Sequence, residues 1–159
     1  MGLLSKKNKP SQKAYAVVTG AGSGIGRSFA LELAKRGGDV ICADIELSSA
    51  QETVDLIQSM TSTSAYAVHC DVGLKESVHA LAEQSEQLLG HPVTLLINNA
   101  GVGLGGKFDE VSLEDWQWCM HVNLWGVIHG CHYFVPKFKQ QGFGAIINVA
   151  SAAGDTAAP

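Results

Sequence analysis

Four glycines fall at every second position from Gly20 to Gly26, in the stretch Tyr15-Ala-Val-Val-Thr-Gly-Ala-Gly-Ser-Gly-Ile-Gly-Arg27. An apolar, β-branched run leads into them and an amphipathic helix pattern starts within them, so strand, tight turn and helix share one short segment. Glycines here let the backbone take conformations closed to other residues and let a ligand approach with no Cβ in the way. The helix that follows turns its unpaired N–H groups and positive dipole end toward the loop. A pyrophosphate fits such an anion site.

Other residues could join that chemistry. Asp44 closes the second apolar run, 18 residues after Gly26. A carboxylate there either accepts hydrogen bonds from an adenosine ribose, repelling a 2′-phosphate, or serves the start of the next helix. Neither Ser23 nor Ile45 is the Arg or Lys that would welcome such a phosphate, which favours NAD over NADP. Asn123 falls on an apolar helical stripe, where an amide without hydrogen-bond partners costs about 1–3 kcal/mol. Ser151 stands just past a buried strand, on the edge where open α/β sheets bind ligands. His129 and His132, with Cys131 near, have a helical i, i+3 spacing, but no further ligand is suitably spaced and no H-E-x-x-H occurs, so no metal is expected. Trp116, Trp118 and Trp125 read as core or interface aromatics.

These residues need elements to position them. The first helix is expected from Gly24 to Arg36, with Ile25, Phe29 and Leu33 on its inner face and Gly37 as its stop. Val40 to Asp44 reads as a buried strand. A second helix opens at Ser48 or Ser49 in a capping-box pattern and ends near Met60. A strand over Ala65 to His69 leads to Asp71, and a helix from Leu74 to Leu89 turns Val78, Leu81, Ala82, Ser85, Leu88 and Leu89 inward. Val93 to Ile97 is the fourth strand, entering Asn98-Asn99-Ala100-Gly101. Ser112 and Asp115 suggest a capping box for a long helix through Phe134, which Pro136 ends or kinks. Ala145 to Val149 is the fifth strand. Such alternation implies an α/β fold, a doubly wound parallel sheet of Rossmann-like type with helices on both faces.

Bulk composition bounds the rest. The chain has 159 residues, a formal net charge of −4 and a charged fraction of 16%, below the roughly 25% usual for globular domains. It must therefore pack deeply or oligomerise. No basic footprint suggests nucleic acid, and no apolar run nears the roughly 18 residues needed to span a bilayer. Cys42, Cys70, Cys119 and Cys131 lie in or beside apolar segments and form no CxxC pair. Buried free thiols without a signal peptide favour a reducing, cytoplasmic compartment. Residues 1–13, with Lys6, Lys7, Lys9 and Lys13, read as a flexible basic tail before a domain over 14–159. The opening resembles a myristoylation signal, but Ser5 falls one position early and acylation is discounted.

The glycine spacing separates the candidate nucleotide folds. GxGxxG fails because positions 25 and 27 are Ile and Arg, and a Walker loop fails because Gly26-Arg27-Ser28 lacks its lysine. Thr19-Gly20-x-x-x-Gly24-x-Gly26 is the pattern present. With it, the chain resembles the short-chain dehydrogenase/reductase family across Ala14 to Gly154. Thr19, Gly20, Gly24 and Gly26 match that family's cofactor loop, which Ser23 and Ile25 complete. Asp71-Val72 match its adenine-side turn, Asn98, Asn99, Ala100 and Gly101 its NNAG segment, Asn123 its helix asparagine and Ser151 its catalytic serine.

The resemblance implies an NAD-dependent oxidoreductase moving a hydride between the nicotinamide and an alcohol or carbonyl substrate. It implies that Ser151 hydrogen-bonds the reacting oxygen and Asn123 holds a water in the proton relay. The family's acid/base tyrosine, in a Tyr-x-x-x-Lys motif, would fall just past Pro159, and no tyrosine follows Ser151. Tyr133 precedes the serine and cannot substitute. The expectation is therefore a domain incomplete at its C-terminus, inactive alone and homo-oligomeric when full length. The alternative is a truncated, non-catalytic nucleotide-binding or interaction module.

Overall fold

The computed structural model describes residues 9–151. The acylation-like opening, already discounted, and the last three residues of Ser-Ala-Ala-Gly lie outside them. Among the described residues, five strands form one parallel sheet: β1 (Tyr15–Thr19), β2 (Asp39–Asp44), β3 (Ala65–His69), β4 (Leu95–Asn98) and β5 (Ala145–Asn148). Their order is β3-β2-β1-β4-β5, so the chain reverses its direction of travel across the sheet between β1 and β4. Ligands of open α/β sheets bind at that switch point, beyond the carboxyl ends of the strands. All pairs are parallel, which brings Thr19, Asp44, His69, Asn98 and Asn148 to one edge.

Near-continuous apolar strands bury both faces of the sheet. On one side Ala16, Val18, Val40, Cys42, Leu95 and Ile97 meet Ala30 and Leu33 of α1 (Gly24–Lys35) and Val54 and Ile57 of α2 (Leu47–Met60). On the other, Val17, Ile41 and Leu96 meet Val78 and Leu81 of α3 (Lys75–Leu89) and Phe134 of α5 (Gly126–Gln141). The predicted doubly wound architecture is the one observed.

Several local expectations are corrected. Ile25 and Leu88, assigned to inner faces, are 63% and 40% exposed. The Ser48/Ser49 capping box does not form: α2 begins at Leu47 with Glu46 at its N-cap and no side-chain cap. Asp44 Oδ1 instead accepts from the Glu46 N–H at 3.0 Å, so the strand-end carboxylate also serves the helix start. Val93 is buried but precedes β4, because Thr94 Oγ1 accepts the Tyr15 N–H at 3.0 Å where ladder pairing would otherwise begin. Residues 9–13 form turns tied to the end of α1, with Arg36 Nη1 donating to Ser11 Oγ at 2.9 Å.

The long helix differs most. Ser112 caps α4 (Leu113–Met120) as expected, its Oγ accepting the Asp115 N–H. Pro136 does not end or divide α5, which runs on to Gln141 and stops at Gly142 in the left-handed region. The interruption lies earlier: His121–Trp125 form a π-helical segment between α4 and α5. One turn thus widens around Asn123. The amide is exposed, not on a buried stripe, and Cys119 and Cys131 are only partly buried, since that face of the helix is uncovered among the described residues.

Candidate functional site

The glycine loop leaves β1 and enters α1 at the switch point. Gly20 and Gly24 have φ of +65° and +53°, conformations that β-carbons disfavour. Gly26 is required for a different reason: a Cβ there would strike the Gly20 carbonyl and the Asn99 side chain. Ser23 sits at the α1 N-cap in extended conformation, yet its side chain makes no capping bond. The first N–H groups of α1 therefore lack an intrahelical or side-chain cap partner. A Cβ on Gly24 would meet nothing within 4 Å, so this face of the loop is open.

Two polar clamps fix the loop. Thr19 Oγ1 accepts the N–H groups of Asn99 and Ala100 at 3.0 and 3.1 Å, and Asn99 Nδ2 donates to the Thr19 carbonyl at 3.0 Å. The ends of β1 and β4 are locked together. On the other flank Asp44 Oδ2 accepts the Gly22 N–H at 2.7 Å. A Cβ on Gly22 would lie 2.8 Å from that oxygen and 2.7 Å from Ser49 Cβ, so the close approach needs glycine. Arg27 then ties the loop to α2, its Nε donating to Thr53 Oγ1 at 3.0 Å and its Nη2 to Glu52 and the Gly22 carbonyl. The arginine that breaks the GxGxxG spacing is thus a strut.

These elements enclose a cavity of about 450 Å³. Of the residues expected from sequence, Gly20, Ser23, Gly24, Ile25 and Gly26 form one wall, Asp44, Asp71 and Val72 another, and Asn99, Ala100 and Gly101 a third. Thr19 and Asn98 stand behind the lining, both 4% exposed. Asn98 Nδ2 donates to Asn148 Oδ1 at 2.8 Å, bridging β4 and β5. Sequence reasoning weighed Ile45 only against a 2′-phosphate, and did not place it, Cys70, Val102, Trp118 or Val122 on the lining. The first two neighbour Asp44 and Asp71 in the chain, and Val102 follows Gly101, so adjacency was the available signal. Trp118 and Val122, one helical turn apart, were legible only as a helix face.

A sequence profile described as short chain dehydrogenase matches residues 14–159. The chain belongs to the short chain dehydrogenase family. It is 40% identical over 148 residues to a cyclohexanol dehydrogenase of an Acinetobacter species, covering 92% of this chain and 58% of that protein. It is 33% identical over 140 residues to a 7alpha-hydroxysteroid dehydrogenase of Escherichia coli, covering 88% and 54%. A short chain dehydrogenase/reductase from Burkholderia phymatum, solved in complex with NAD, superposes with a TM-score of 0.89 at 39% identity, over 95% of this chain and 53% of that one. The chain thus spans little more than half the length of these dehydrogenases.

Asn123 and Ser151 are not on the lining of this cavity. Asn123 bonds the backbone of Val102 twice, Oδ1 accepting the N–H at 2.8 Å and Nδ2 donating to the carbonyl at 2.9 Å. Its second amide proton points to Cys119 Sγ at 3.2 Å. The π turn and the loop after β4 are held as one unit. Ser151 follows β5 and is exposed, beyond Val149, whose N–H donates to the Asn98 carbonyl at 2.9 Å. His129 Nδ1 lies 2.9 Å from the Val72 carbonyl, tying the turn after β3 to α5. Burial, opposed by a Ser77 hydrogen bond and reinforced by the Asp71 and Asp44 charges, pushes the Cys70 thiol up to about 11. No cluster of three or more metal-ligating side chains occurs among the described residues, and none of their helices is long and apolar enough to cross a membrane.

Proposed function

We propose that this chain is the cofactor-binding part of an NAD-dependent oxidoreductase that moves a hydride between nicotinamide and the carbon of an alcohol or carbonyl substrate. The observation that carries this reading is the cavity itself. It joins an uncapped helix N-terminus, a glycine that leaves the approach open, and a carboxylate at the end of β2. The NAD complex of the Burkholderia phymatum relative supports the same cofactor class. When bound, the nicotinamide supplies the hydride chemistry.

The residues of this chain divide the remaining work. The N–H groups of Gly24, Ile25 and Gly26 face the pyrophosphate with the positive end of the α1 dipole. Asp44, held by Gly22 and Glu46, accepts from the adenosine ribose hydroxyls and repels a 2′-phosphate, so NAD is preferred to NADP. Asp71 and Val72 border the adenine. Ser151 hydrogen-bonds the substrate oxygen that gains or loses a proton. Asn123 holds the relay water through the remaining Oδ1 lone pair, both its amide protons being engaged by Val102 and Cys119. No phenol follows Ser151 within the 159 residues, so these residues alone bind NADH without turnover.

Parallel titrations with NADH and NADPH, and assays of NAD reduction across secondary alcohols, test this reading. Saturable, tighter NADH binding with no turnover is expected. Tighter NADPH binding overturns the cofactor preference, and a sustained rate overturns the expected inactivity.

A further inference from the structure

Trp118 was expected in the core or at an interface, and the structure places it outside the core. Its indole is 49% exposed, on the lining of the nucleotide cavity together with Val122. The other two tryptophans are engaged differently: Trp116 meets the ring of Phe108 at 5.4 Å and Trp125 meets that of His129 at 5.9 Å. No ring contact or side-chain hydrogen bond engages the Trp118 indole among the described residues. Two positions along a helix is a rotation of about 200°, so Trp118 and Trp116 face opposite ways. Only the former faces the cavity.

The wall carrying this indole is anchored. Val122 lies four residues on, so both side chains share one helical face. The π segment and the start of α5 approach the turn after β3 at three points: His121 of the π segment beside Gly73, Gly126 of α5 against the Val72 side chain, and His129 of α5 at the Val72 carbonyl. Trp118 thus projects from a fixed support over a cavity whose other walls are glycine backbone, the Asp44 and Asp71 carboxylates and aliphatic side chains such as Ile25, Ile45 and Val102. Those walls can recognise phosphate and hydroxyl groups but offer no aromatic face to a base.

Resting on the cofactor reading above, we propose that Trp118 is a further cofactor-binding residue, its indole covering the adenosine half of the dinucleotide by contact with the adenine ring. A flat, π-faced purine is the ligand group that best exploits a half-exposed indole with no ring partner of its own. Ordering the indole on ligand binding removes apolar surface from water at both partners.

Calorimetric titration of the full chain and its Trp118→Ala and Trp118→Phe variants with NADH, ADP-ribose and nicotinamide mononucleotide tests this. W118A is expected to raise the dissociation constants of NADH and ADP-ribose by roughly tenfold, a size typical of base–aromatic contacts. W118F keeps most of the affinity, and nicotinamide mononucleotide binding is unchanged. Unchanged ADP-ribose binding in W118A, while the wild-type chain binds NADH, overturns the role of Trp118 and leaves the cofactor reading standing. A wild-type chain that binds neither NADH nor ADP-ribose overturns both. If W118A fails to fold, W118F and W118L decide: the former must bind ADP-ribose more tightly than the latter.

Discussion

At the residue scale, Asp44 combines two structural hydrogen bonds with a place on the cavity wall. It accepts the N–H groups of Gly22 and Glu46 and still borders the cavity. Asp44→Ala therefore removes a charge-assisted acceptor and loosens the loop. NADH binding is expected to weaken roughly tenfold or more, while the ratio of NADPH to NADH affinity rises, as paired titrations would show. The thiols offer an independent check. Burial pushes Cys42 up to about 12 and Cys70 to about 11 from an ordinary value of 9.0. Alkylation near neutral pH should label the partly buried Cys119 and Cys131 first, and peptide mapping reads the order. Between about pH 9 and 11 the unfolded chain sheds these thiol protons while the folded one keeps them. Stability should fall with rising pH across that window in denaturant titrations.

At the element scale, the helix after the NNAG segment carries the main lesson. Its existence, its Ser112 cap and its stop at Gly142 all follow from local chemistry: a hydroxyl that can accept the N3 amide, and a glycine that accepts positive φ. The π turn at His121–Trp125 does not, because it is set by what Asn123 reaches across space. Pro136 misled for a related reason. A proline removes one N–H and crowds one carbonyl, yet a well-packed helix absorbs that cost, and here Phe134 and Phe138 bury against the sheet on either side of it. The strands were legible from their apolar runs, and the loop residues of the cavity from their glycines and acids. Trp118 and Val122 were not, since only the packed fold shows which helix face turns toward the loop. Asn123→Ala should cost about 1–2 kcal/mol in chemical denaturation through its lost bonds to Val102. Gly130→Ala should also destabilise, because a Cβ there would strike Asn98 Oδ1 and push α5 from β4.

At the scale of the whole molecule, two apolar layers hold the sheet that presents the site. Phe134, fully buried, is the largest side chain of the α3/α5 layer. Phe134→Ala should cost about 3–5 kcal/mol by denaturant unfolding. Lys137 of α5 reaches Glu83 and Glu86 of α3 at 2.9 and 2.8 Å. Burial alone would lower that lysine, but the two carboxylates outweigh it and raise it, and Lys137 in turn holds the Glu83 carboxyl below its usual range. The contribution of Glu83 is present above its ordinary range and lost as pH falls through the depressed value. Elsewhere Trp125 at the end of the π segment, Ile128 of α5 and Ile147 of β5 are exposed apolar side chains. A surface of that kind predicts self-association, and sedimentation velocity should show Ile128→Glu shifting the chain toward monomer.

The dinucleotide cavity is the claim on which the rest depends, and a crystal structure of the chain grown with NADH tests it most directly. The pyrophosphate is predicted against the N–H groups of Gly24 to Gly26, with the adenosine ribose within hydrogen-bond distance of Asp44. Nucleotide bound away from this loop, or a complex in which Asp44 makes no contact with the ribose, would contradict the account.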